Sequence, residues 1–366
     1  RYIVNCSSLS CYEEMVSALQ SWPEPVVRVQ SLADSGIRRI PEKYVKPPCH
    51  RPSPDAANNH VRIPVVDLQD AFSCNRQLRE GSMRLISKAC REMGFFEVVN
   101  HGVRPQLMKM NLEMWRRFFH LPMEVKQKYA NVPLTYEGYG SRLGVEKDAL
   151  LDWCDYFFLH YRPAALRDYN KWPELPLSFR AVVAEYGEEM AKLGKRLMKL
   201  LSLNLGLEED YLLAAFGGSE GFGACLRTNF YPKCPQPNLT LGLSPHSDPG
   251  GMTILLADED VPGLQVRRGD HWVTVKPEQN SLIVNIGDQI QILSNGLYKS
   301  VEHRAVVNSD TDRISMAFFF NPNENLLISP SKRLVTEERP AAYSSMTFKE
   351  YRQHIRRKGV CQKIND

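Results

Sequence analysis

Residues 246–248 read His-Ser-Asp, and they are followed by His303 and by the triplet Arg313-Ile-Ser315. Two imidazoles and one carboxylate on neighbouring strands can hold a divalent metal on one face and leave the opposite face open. Arg313 and Ser315 stand two residues apart, so on a strand their side chains point the same way. A guanidinium fork can grip a carboxylate through two bonds, and the serine hydroxyl can add a third. This stretch therefore predicts strands around a metal site with a carboxylate clamp beside it.

The combination is more specific than any of its parts. A His-x-Asp pair is expected by chance in a chain with nine histidines, and an isolated His303 would more often be a hydrogen-bonded strand histidine than a ligand. The triad followed at short range by Arg-x-Ser instead predicts the arrangement of two histidines and one carboxylate that non-haem Fe(II) oxygenases use. The implied cosubstrate has a metal-chelating end and a distal carboxylate, and 2-oxoglutarate has both.

Length and composition are those of an ordinary globular protein. The chain has 366 residues, of which 43% are hydrophobic and 24% charged, enough to bury a sizeable core. The formal charge of +4 leaves no electrostatic footprint for nucleic-acid binding. No apolar stretch reaches the roughly 18 residues that span a bilayer. Nine cysteines without a Cys-x-x-Cys pair are interpreted as reduced thiols, and no secretory signal is visible, so the predicted location is cytoplasmic.

Periodicity and turn signals divide the chain into five predicted regions: an irregular proline-rich lead-in at 1–60, an N-terminal region at 61–165, a connector with a long helix at 166–222, the site-bearing strands at 223–330, and a C-terminal helix and tail at 331–366. The patterns predict helices over 12–19, 82–93, 106–119, 178–205 and 347–358, and strands over 63–68, 95–99, 264–266 and 272–275. The run Ile290–Leu293 before the turn signal Asn295-Gly296 is interpreted as a further strand. Short strands at regular spacing favour a sandwich or jelly roll.

The chain resembles the plant 2-oxoglutarate/Fe(II)-dependent dioxygenases, the group that includes anthocyanidin synthase, flavonol synthase and the gibberellin oxidases. The resemblance runs from about Val61 to about Tyr351, and it is carried by residues 63–68, 94–102, 229–235, 242–255 and 285–289. It implies a mainly β fold with flanking helices (α+β). The core over 223–330 would be a double-stranded β-helix, or jelly roll, with an N-terminal helical and strand region and a C-terminal closing helix.

The resemblance also implies roles for particular residues. The implied Fe(II) ligands are His246, Asp248 and His303. The implied contacts to 2-oxoglutarate are Arg313 and Ser315, at its distal carboxylate, and Asn229 and Tyr231. No catalytic side chain beyond the metal ligands is implied, and ascorbate is expected to support activity.

Strand alternation extends the predicted pocket. Arg227 alternates with Asn229 and Tyr231, so it is expected to face the same interior. A buried guanidinium needs an anion, which is either an acidic neighbour in the fold or a carboxylate on the substrate. By the same alternation, Phe319 shares a face with Arg313 and would lie beside the metal.

One subgroup of the family, the jasmonate-induced oxygenases, is especially similar to this chain over residues 24–33, 136–147, 151–153 and 223–227. In that subgroup, the arginines that match Arg227, Arg352 and Arg356 hold the carboxylate of jasmonic acid. The phenylalanines that match Phe158 and Phe319 line its apolar body. On spacing alone, two arginines four residues apart on a helix are more often a solvated face, and a phenylalanine on a strand is more often core.

The resemblance implies hydroxylation of a small carboxylic acid with O₂, most specifically jasmonic acid to 12-hydroxyjasmonate, a reaction that inactivates the hormone. A flavonoid-oxidising enzyme of the anthocyanidin synthase or flavonol synthase type is the alternative. Flavonoids lack a carboxylate, however, and give no reason for three converging arginines. A catalytically silent ligand-binding module is disfavoured, because a pure binder has no need of open iron positions.

Overall fold

The computed structural model describes residues 22–52, 60–133, 135–142 and 147–358, without the side chains of residues 60–61 and 356–358. The helix predicted over 12–19 lies outside these ranges. Among the described residues, none of the helices has the length and apolar character that crossing a bilayer requires.

The described α-helices are numbered in chain order. They are α1 (Val29–Asp34), α2 (Leu68–Ala71), α3 (Arg76–Glu92), α4 (Pro105–Phe119), α5 (Met123–Gln127), α6 (Phe179–Asn204), α7 (Tyr211–Ala215), α8 (Gly218–Gly221), α9 (Asp288–Leu293) and α10 (Phe348–Lys358). Helices α4, α6 and α10 agree with the predicted helices to within one residue at each end.

The described strands are likewise numbered in chain order. They are β1 (His60–Val61), β2 (Val65–Asp67), β3 (Phe95–Val99), β4 (Gly138–Gly140), β5 (Asp155–Arg162), β6 (Gly223–Tyr231), β7 (Leu243–His246), β8 (Met252–Leu256), β9 (Leu264–Arg268), β10 (His271–Val275), β11 (Leu282–Ile286), β12 (His303–Ala305), β13 (Arg313–Asn321), β14 (Leu327–Ile328) and β15 (Met346–Thr347). Strand β3 has its predicted bounds, whereas the strand predicted over 63–68 is shortened to β2.

Within the described ranges, the strands form an eight-stranded sheet in the order β2-β3-β11-β8-β13-β6-β5-β4, a five-stranded sheet in the order β1-β10-β9-β12-β7 and a two-stranded sheet of β14 and β15. Side chains from the first two sheets line one pocket between them. This architecture confirms the predicted mainly β fold with flanking helices and a jelly-roll core. Strands from the predicted region 61–165 share the larger sheet with strands from 223–330, so these two regions are joined by hydrogen bonds, and their boundaries stay a prediction.

Two glycines allow the long helix α6 to lie close to the larger sheet. A Cβ at Gly187 would collide with the ring of Tyr161, and a Cβ at Gly194 would collide with the ring of Phe320. Both rings are buried, on the face of the sheet that points away from the pocket. Each glycine costs about 1 kcal/mol of helix propensity, but the missing side chains let the helix backbone cover the sheet.

The segment Ile290–Leu293 is helical, and the prediction of a strand there is wrong. It belongs to α9, which ends before the Asn295-Gly296 turn, where φ is +51° and +75°. A four-residue segment with three apolar residues fits a strand or a single helical turn, so periodicity cannot separate the two. The N–H of Asp288 at the start of α9 donates to the carbonyl of Asp248, so a contact distant in sequence favours the helix.

The helix predicted over 82–93 begins six residues earlier, because α3 starts at Arg76. The side chain of Asn75 accepts hydrogen bonds from the N–H groups of Gln77 and Leu78, as an N-cap does. The first turns of α3 are mostly polar and lack an apolar stripe, which is the signal that periodicity detects.

Candidate active site

The candidate metal ligands converge at one end of the five-stranded sheet. His246 ends β7 and His303 begins β12, and the two are directly opposite each other in the antiparallel pairing. Asp248 lies in the loop that follows β7. Each imidazole Nε2 is 3.7 Å from Asp248 Oδ1, and the three ligand atoms lie within 4.8 Å of one another. Two nitrogens and one oxygen in this arrangement fit Fe(II) with coordination positions left open.

Hydrogen bonds decide which nitrogen of each histidine faces the metal position. His246 Nδ1 lies 2.9 Å from the carbonyl of Ser244, and His303 Nδ1 lies 3.3 Å from the carbonyl of Val301. Because a carbonyl only accepts, each Nδ1 donates its proton there and each Nε2 keeps a lone pair for the metal. Burial, together with the neighbouring His303, lowers the pKa of His246 to about 4, so the imidazole is neutral at neutral pH, as metal binding requires.

The carboxylate of Asp248 is held so that one oxygen is left for the metal. Its Oδ2 accepts hydrogen bonds from the Thr253 hydroxyl and, at 2.7 Å, from Asn285 Nδ2. Burial alone would raise the pKa of Asp248. The two histidines and these two donors outweigh that effect and hold the pKa below its ordinary value. The ionised Oδ1 therefore points between the two imidazoles. Thr253 and Asn285 hold the carboxylate in this orientation. The sequence analysis assigned no role to either residue.

The residues of the predicted carboxylate clamp lie on two neighbouring strands of the larger sheet. In the pairing of β13 with β6, Arg313 is opposite Tyr231 and Ser315 is opposite Asn229. The side chain of Arg313 is buried, its Nε donates to the carbonyl of Val261 at 3.0 Å, and its guanidinium lies 5.1 Å from the centre of the Tyr231 ring. Among the described residues, no carboxylate forms an ion pair with Arg313. A buried guanidinium of this kind is suited to an anionic ligand.

Arg227 lies farther along β6, on the same face as Asn229. Its Nε donates to Asn229 Oδ1 at 2.7 Å, and its guanidinium lies 4.2 Å from the centre of the Tyr156 ring. In the described part of the chain no acidic side chain pairs with it, so the structural alternative of an acidic neighbour finds no support there. Sequence reasoning missed Tyr156, although its alternation with Phe158 on β5 indicates that both face Arg227 and Asn229.

The two predicted phenylalanines are half-buried on the same face of the larger sheet. Phe158 is opposite Arg227 in the pairing of β5 with β6, and Phe319 is opposite Cys225 in the pairing of β13 with β6. Phe319 lines the pocket together with the candidate metal ligands, whereas Phe158 is not among the residues that line it. The ring of Phe158 lies 5.1 Å from the ring of His160. Alternation therefore predicts the face of these side chains but not their depth.

Of the two predicted arginines on the closing helix, the structure describes the side chain of Arg352 but not that of Arg356. Arg352 is half-buried, and its guanidinium lies 5.7 Å from the centre of the Phe348 ring. Burial raises the pKa of the Cys225 thiol to about 12, and the positive charge of Arg352 lowers it in part. The side chain of Arg356 lies outside the described residues, so its predicted role stays a prediction.

An ion pair between Lys46 of the lead-in segment and Asp152 supports the candidate metal ligand His246. Asp152 accepts hydrogen bonds from the hydroxyl of Ser244 at 2.6 Å and from its N–H at 3.0 Å, and it pairs with Lys46 Nζ at 2.8 Å. The carbonyl of Ser244 in turn holds Nδ1 of His246. Mutation of a residue that orients a metal ligand typically lowers the metal affinity by about 10- to 100-fold. The signal for Asp152 was the Leu-Asp-Trp triplet at 151–153, which the predicted site left unused.

The chain matches two family models that together span most of the strands described above. Residues 222–322 match the 2OG-Fe(II) oxygenase superfamily. Residues 63–175 match the non-haem dioxygenase N-terminal region described from morphine synthesis.

Individual proteins are similar over nearly the whole chain. Jasmonate-induced oxygenase 3 of Arabidopsis thaliana is 57% identical over 355 residues, which cover 96% of this chain and 98% of that protein. Flavanone 3-dioxygenase 2 of Oryza sativa subsp. japonica is 42% identical over 314 residues, which cover 85% of this chain and 89% of that protein. A crystal structure of JOX2 in complex with 2OG, Fe, and JA superposes with a TM-score of 0.86 at 57% identity, covering 92% of this chain and 95% of that one.

Proposed function

Because this chain belongs to the 2OG-Fe(II) oxygenase superfamily, we propose that it hydroxylates jasmonic acid to 12-hydroxyjasmonate and thereby inactivates the hormone. The observation that carries the proposal is a second cation on the pocket face of β6. Arg227 lies four residues from the register position of Arg313, which corresponds to about 13 Å along a strand. Neither guanidinium is paired with a carboxylate among the described residues. One cation suits the distal carboxylate of the cosubstrate, and the other suits a carboxylate on the substrate.

We assign the metal and cosubstrate roles as follows. His246, Asp248 and His303 would hold Fe(II), and Arg313 with Ser315 would orient 2-oxoglutarate, which Asn229 and Tyr231 also contact. When bound, iron with 2-oxoglutarate and O₂ supplies the oxidation that replaces a C–H bond by C–OH while 2-oxoglutarate becomes succinate and CO₂. The apolar residues Leu243, Leu255, Leu264 and Ala305 also line this pocket, and they limit the access of water to it.

The substrate would be oriented by its carboxylate. Arg227 and Arg352, with Arg356 by resemblance, would grip that group near the far end of β6. Phe158 and Phe319 would pack against the apolar body of the hormone. Holding the acid at one end directs the alkyl chain toward the metal ligands, which is the orientation that hydroxylation of that chain requires. The relatives support the assignment, because the identity is 57% to a jasmonate-induced oxygenase and 42% to a flavanone dioxygenase.

The test is the product formed from a panel of acids and flavonoids. The purified protein is incubated with Fe(II), 2-oxoglutarate and ascorbate, and either jasmonic acid, methyl jasmonate, a flavanone or a gibberellin is added. Succinate release and mass spectrometry of the products are measured. We expect jasmonic acid to gain one oxygen at its pentenyl chain. Oxidation of the flavanone in preference to jasmonic acid would favour the flavonoid alternative, and absence of succinate with every compound would favour a silent binding module.

We further propose a cytosolic location. The cysteines in the described ranges are free thiols, as is usual for proteins of reducing compartments. A fluorescent fusion imaged in plant cells tests this, and signal confined to the secretory pathway would overturn it.

A further inference from the structure

One buried carboxylate joins the closing helix α10 to the loop that carries the metal ligand Asp248. The hydroxyl of Tyr351 on α10 donates to Asp288 Oδ2 at 2.8 Å. The hydroxyl of Ser247, which precedes Asp248, donates to the same oxygen at 3.3 Å. The backbone N–H of Asp288 also donates to the carbonyl of Asp248. Asp288 therefore contacts the closing helix through its side chain and the metal loop through both its side chain and its backbone.

The hydrogen bond between Tyr351 and Asp288 is shielded from solvent. Tyr351 and Asp288 are each only 3% exposed, so water competes little for either group. Burial raises the pKa of the Tyr351 phenol, and the nearby Asp288 raises it further, so the hydroxyl keeps the proton that it donates. The helix itself starts with a reciprocal pair of bonds between Thr347 and Glu350, which determines where α10 begins but not where it docks.

The position of Tyr351 in the sequence connects this contact to the proposed substrate site. The next residue is Arg352, which the proposed function assigns to the substrate carboxylate. An arginine on a helix that is free to move must be ordered when the ligand binds, and that ordering weakens binding. An arginine on a docked helix is already in position.

We propose that Tyr351 is a positioning residue: its bond to Asp288 docks α10 against the metal loop and so presents Arg352 to the substrate. The inference rests on the proposed function, which supplies the role of Arg352. Tyr351 acts through the arginine, so its loss affects the affinity for the acid substrate. The clamp at Arg313 lies on strands β13 and β6 of the larger sheet, so the affinity for 2-oxoglutarate does not depend on Tyr351.

The first experiment separates positioning from general stability. Tyr351→Phe keeps the ring and removes the hydroxyl, and Tyr298→Phe is a matched control whose buried hydroxyl donates to the carbonyl of Leu201 at 3.3 Å. We expect Tyr351→Phe to raise the KM for jasmonic acid several-fold, with kcat and the KM for 2-oxoglutarate within twofold of the parent. Tyr298→Phe should leave all three unchanged. A rise in both KM values, or no change in either, would overturn the inference.

A double variant tests whether Tyr351 acts through Arg352. If it does, Tyr351→Phe combined with Arg352→Ala has the KM for jasmonic acid of Arg352→Ala alone, because the arginine that was positioned is gone. Independent effects would multiply, and that result would overturn the inference. Asp288→Asn keeps the shape of the acceptor and weakens its charge, so it provides a second test if Tyr351→Phe does not fold. It should raise the same KM in the same direction.

Docking of the helix is also measured without the hormone. Hydrogen exchange of residues 348–355 is followed in the parent, Tyr351→Phe and Tyr298→Phe proteins loaded with Fe(II) and 2-oxoglutarate. We expect exchange of this segment to be at least several-fold faster in Tyr351→Phe alone. Unchanged exchange would overturn the inference whatever the substrate is. If the parent protein does not oxidise jasmonic acid, the proposed function fails, while faster exchange would still support the docking contact.

Discussion

The two cationic ends of the pocket are built differently. Arg313 is only 3% exposed, and its guanidinium is fixed by the carbonyl of Val261 and the ring of Tyr231. The other, proposed end would combine Arg227, which is half-exposed and bonded to Asn229, with Arg352 on helix α10. The first end belongs entirely to strands of the larger sheet and to the loops between strands. The second end requires that helix α10, which lies outside both sheets, is docked against them.

The difference indicates how one fold keeps its cosubstrate and changes its substrate. Strand register places Arg313, Ser315 and Tyr231 together, so a chain that forms these strands with these residues brings the same groups together. A side chain on a docked helix is placed by tertiary packing, which can change without altering the register of the sheet. We therefore expect the Arg313 end to serve 2-oxoglutarate alone and the Arg352 end to serve the substrate alone, with Arg227 between them.

The largest expected effect is the loss of the metal, which serves both ends. Replacing His303 by Ala removes one of three ligands and should abolish turnover, while circular dichroism shows a folded protein. His271→Ala is the matched control, since it removes an exposed imidazole from the same sheet. Succinate release measures the effect. Turnover retained by the His303→Ala protein with Fe(II) would show that the metal is held elsewhere.

A smaller effect is expected at the cosubstrate end. Arg313→Lys keeps the charge but loses the planar fork. A charge-assisted hydrogen bond contributes on the order of 1.5–3 kcal/mol, so the apparent KM for 2-oxoglutarate should rise roughly 10- to 100-fold. The KM for jasmonic acid should stay near its parent value. Arg268→Lys, at an exposed strand position, is the control. Equal rises in both KM values would remove the proposed separation of the two ends.

Arg227→Ala sharpens the comparison because this residue belongs to the proposed substrate end and also donates to Asn229, a proposed contact of the cosubstrate. From the sequence alone, it is expected to affect jasmonic acid much more than 2-oxoglutarate. Its bond to Asn229 modifies that expectation, since Asn229 is a proposed contact of the cosubstrate. We expect a rise of about tenfold in the KM for jasmonic acid, as for one lost charge-assisted bond, with a smaller but measurable rise for 2-oxoglutarate. An unchanged 2-oxoglutarate dependence would mean that Asn229 keeps its position without the arginine.

The smallest effect is expected for Arg352, which is half-exposed and therefore screened by solvent. Arg352→Ala should raise the KM for jasmonic acid several-fold, at least as much as Tyr351→Phe does, and leave the KM for 2-oxoglutarate unaffected. The same change should make little difference with methyl jasmonate, which has no carboxylate to grip and should be a poor substrate for the parent protein. Gln353→Ala, on the exposed side of the same helix, is the control. Equal oxidation of acid and ester by the parent would contradict carboxylate anchoring.

Local sequence patterns determined much of this protein. The period-2 alternation of strands predicted that Arg227, Asn229 and Tyr231 share one face of their strand. It also predicted that Arg313 and Ser315 share one face of theirs. The pairing of β6 with β13 agrees. Strand β3 and the long helix α6 were likewise predicted nearly to the residue. These features follow from repeats of about one helical turn or of two strand residues, and a single sequence displays them directly.

Only the tertiary structure decided the contacts that hold the site in place. The bond between Asp152 and Ser244 spans 92 residues, and the bond between Tyr351 and Asp288 spans 63. No spacing in the sequence singles out these residues. The helical state of Ile290–Leu293 is likewise favoured by a contact with a distant segment, the loop that carries Asp248. Periodicity tells a side chain which face of its own element it occupies. Which groups meet across that face depends on how the whole chain packs, since buried polar groups must find partners wherever the fold brings them.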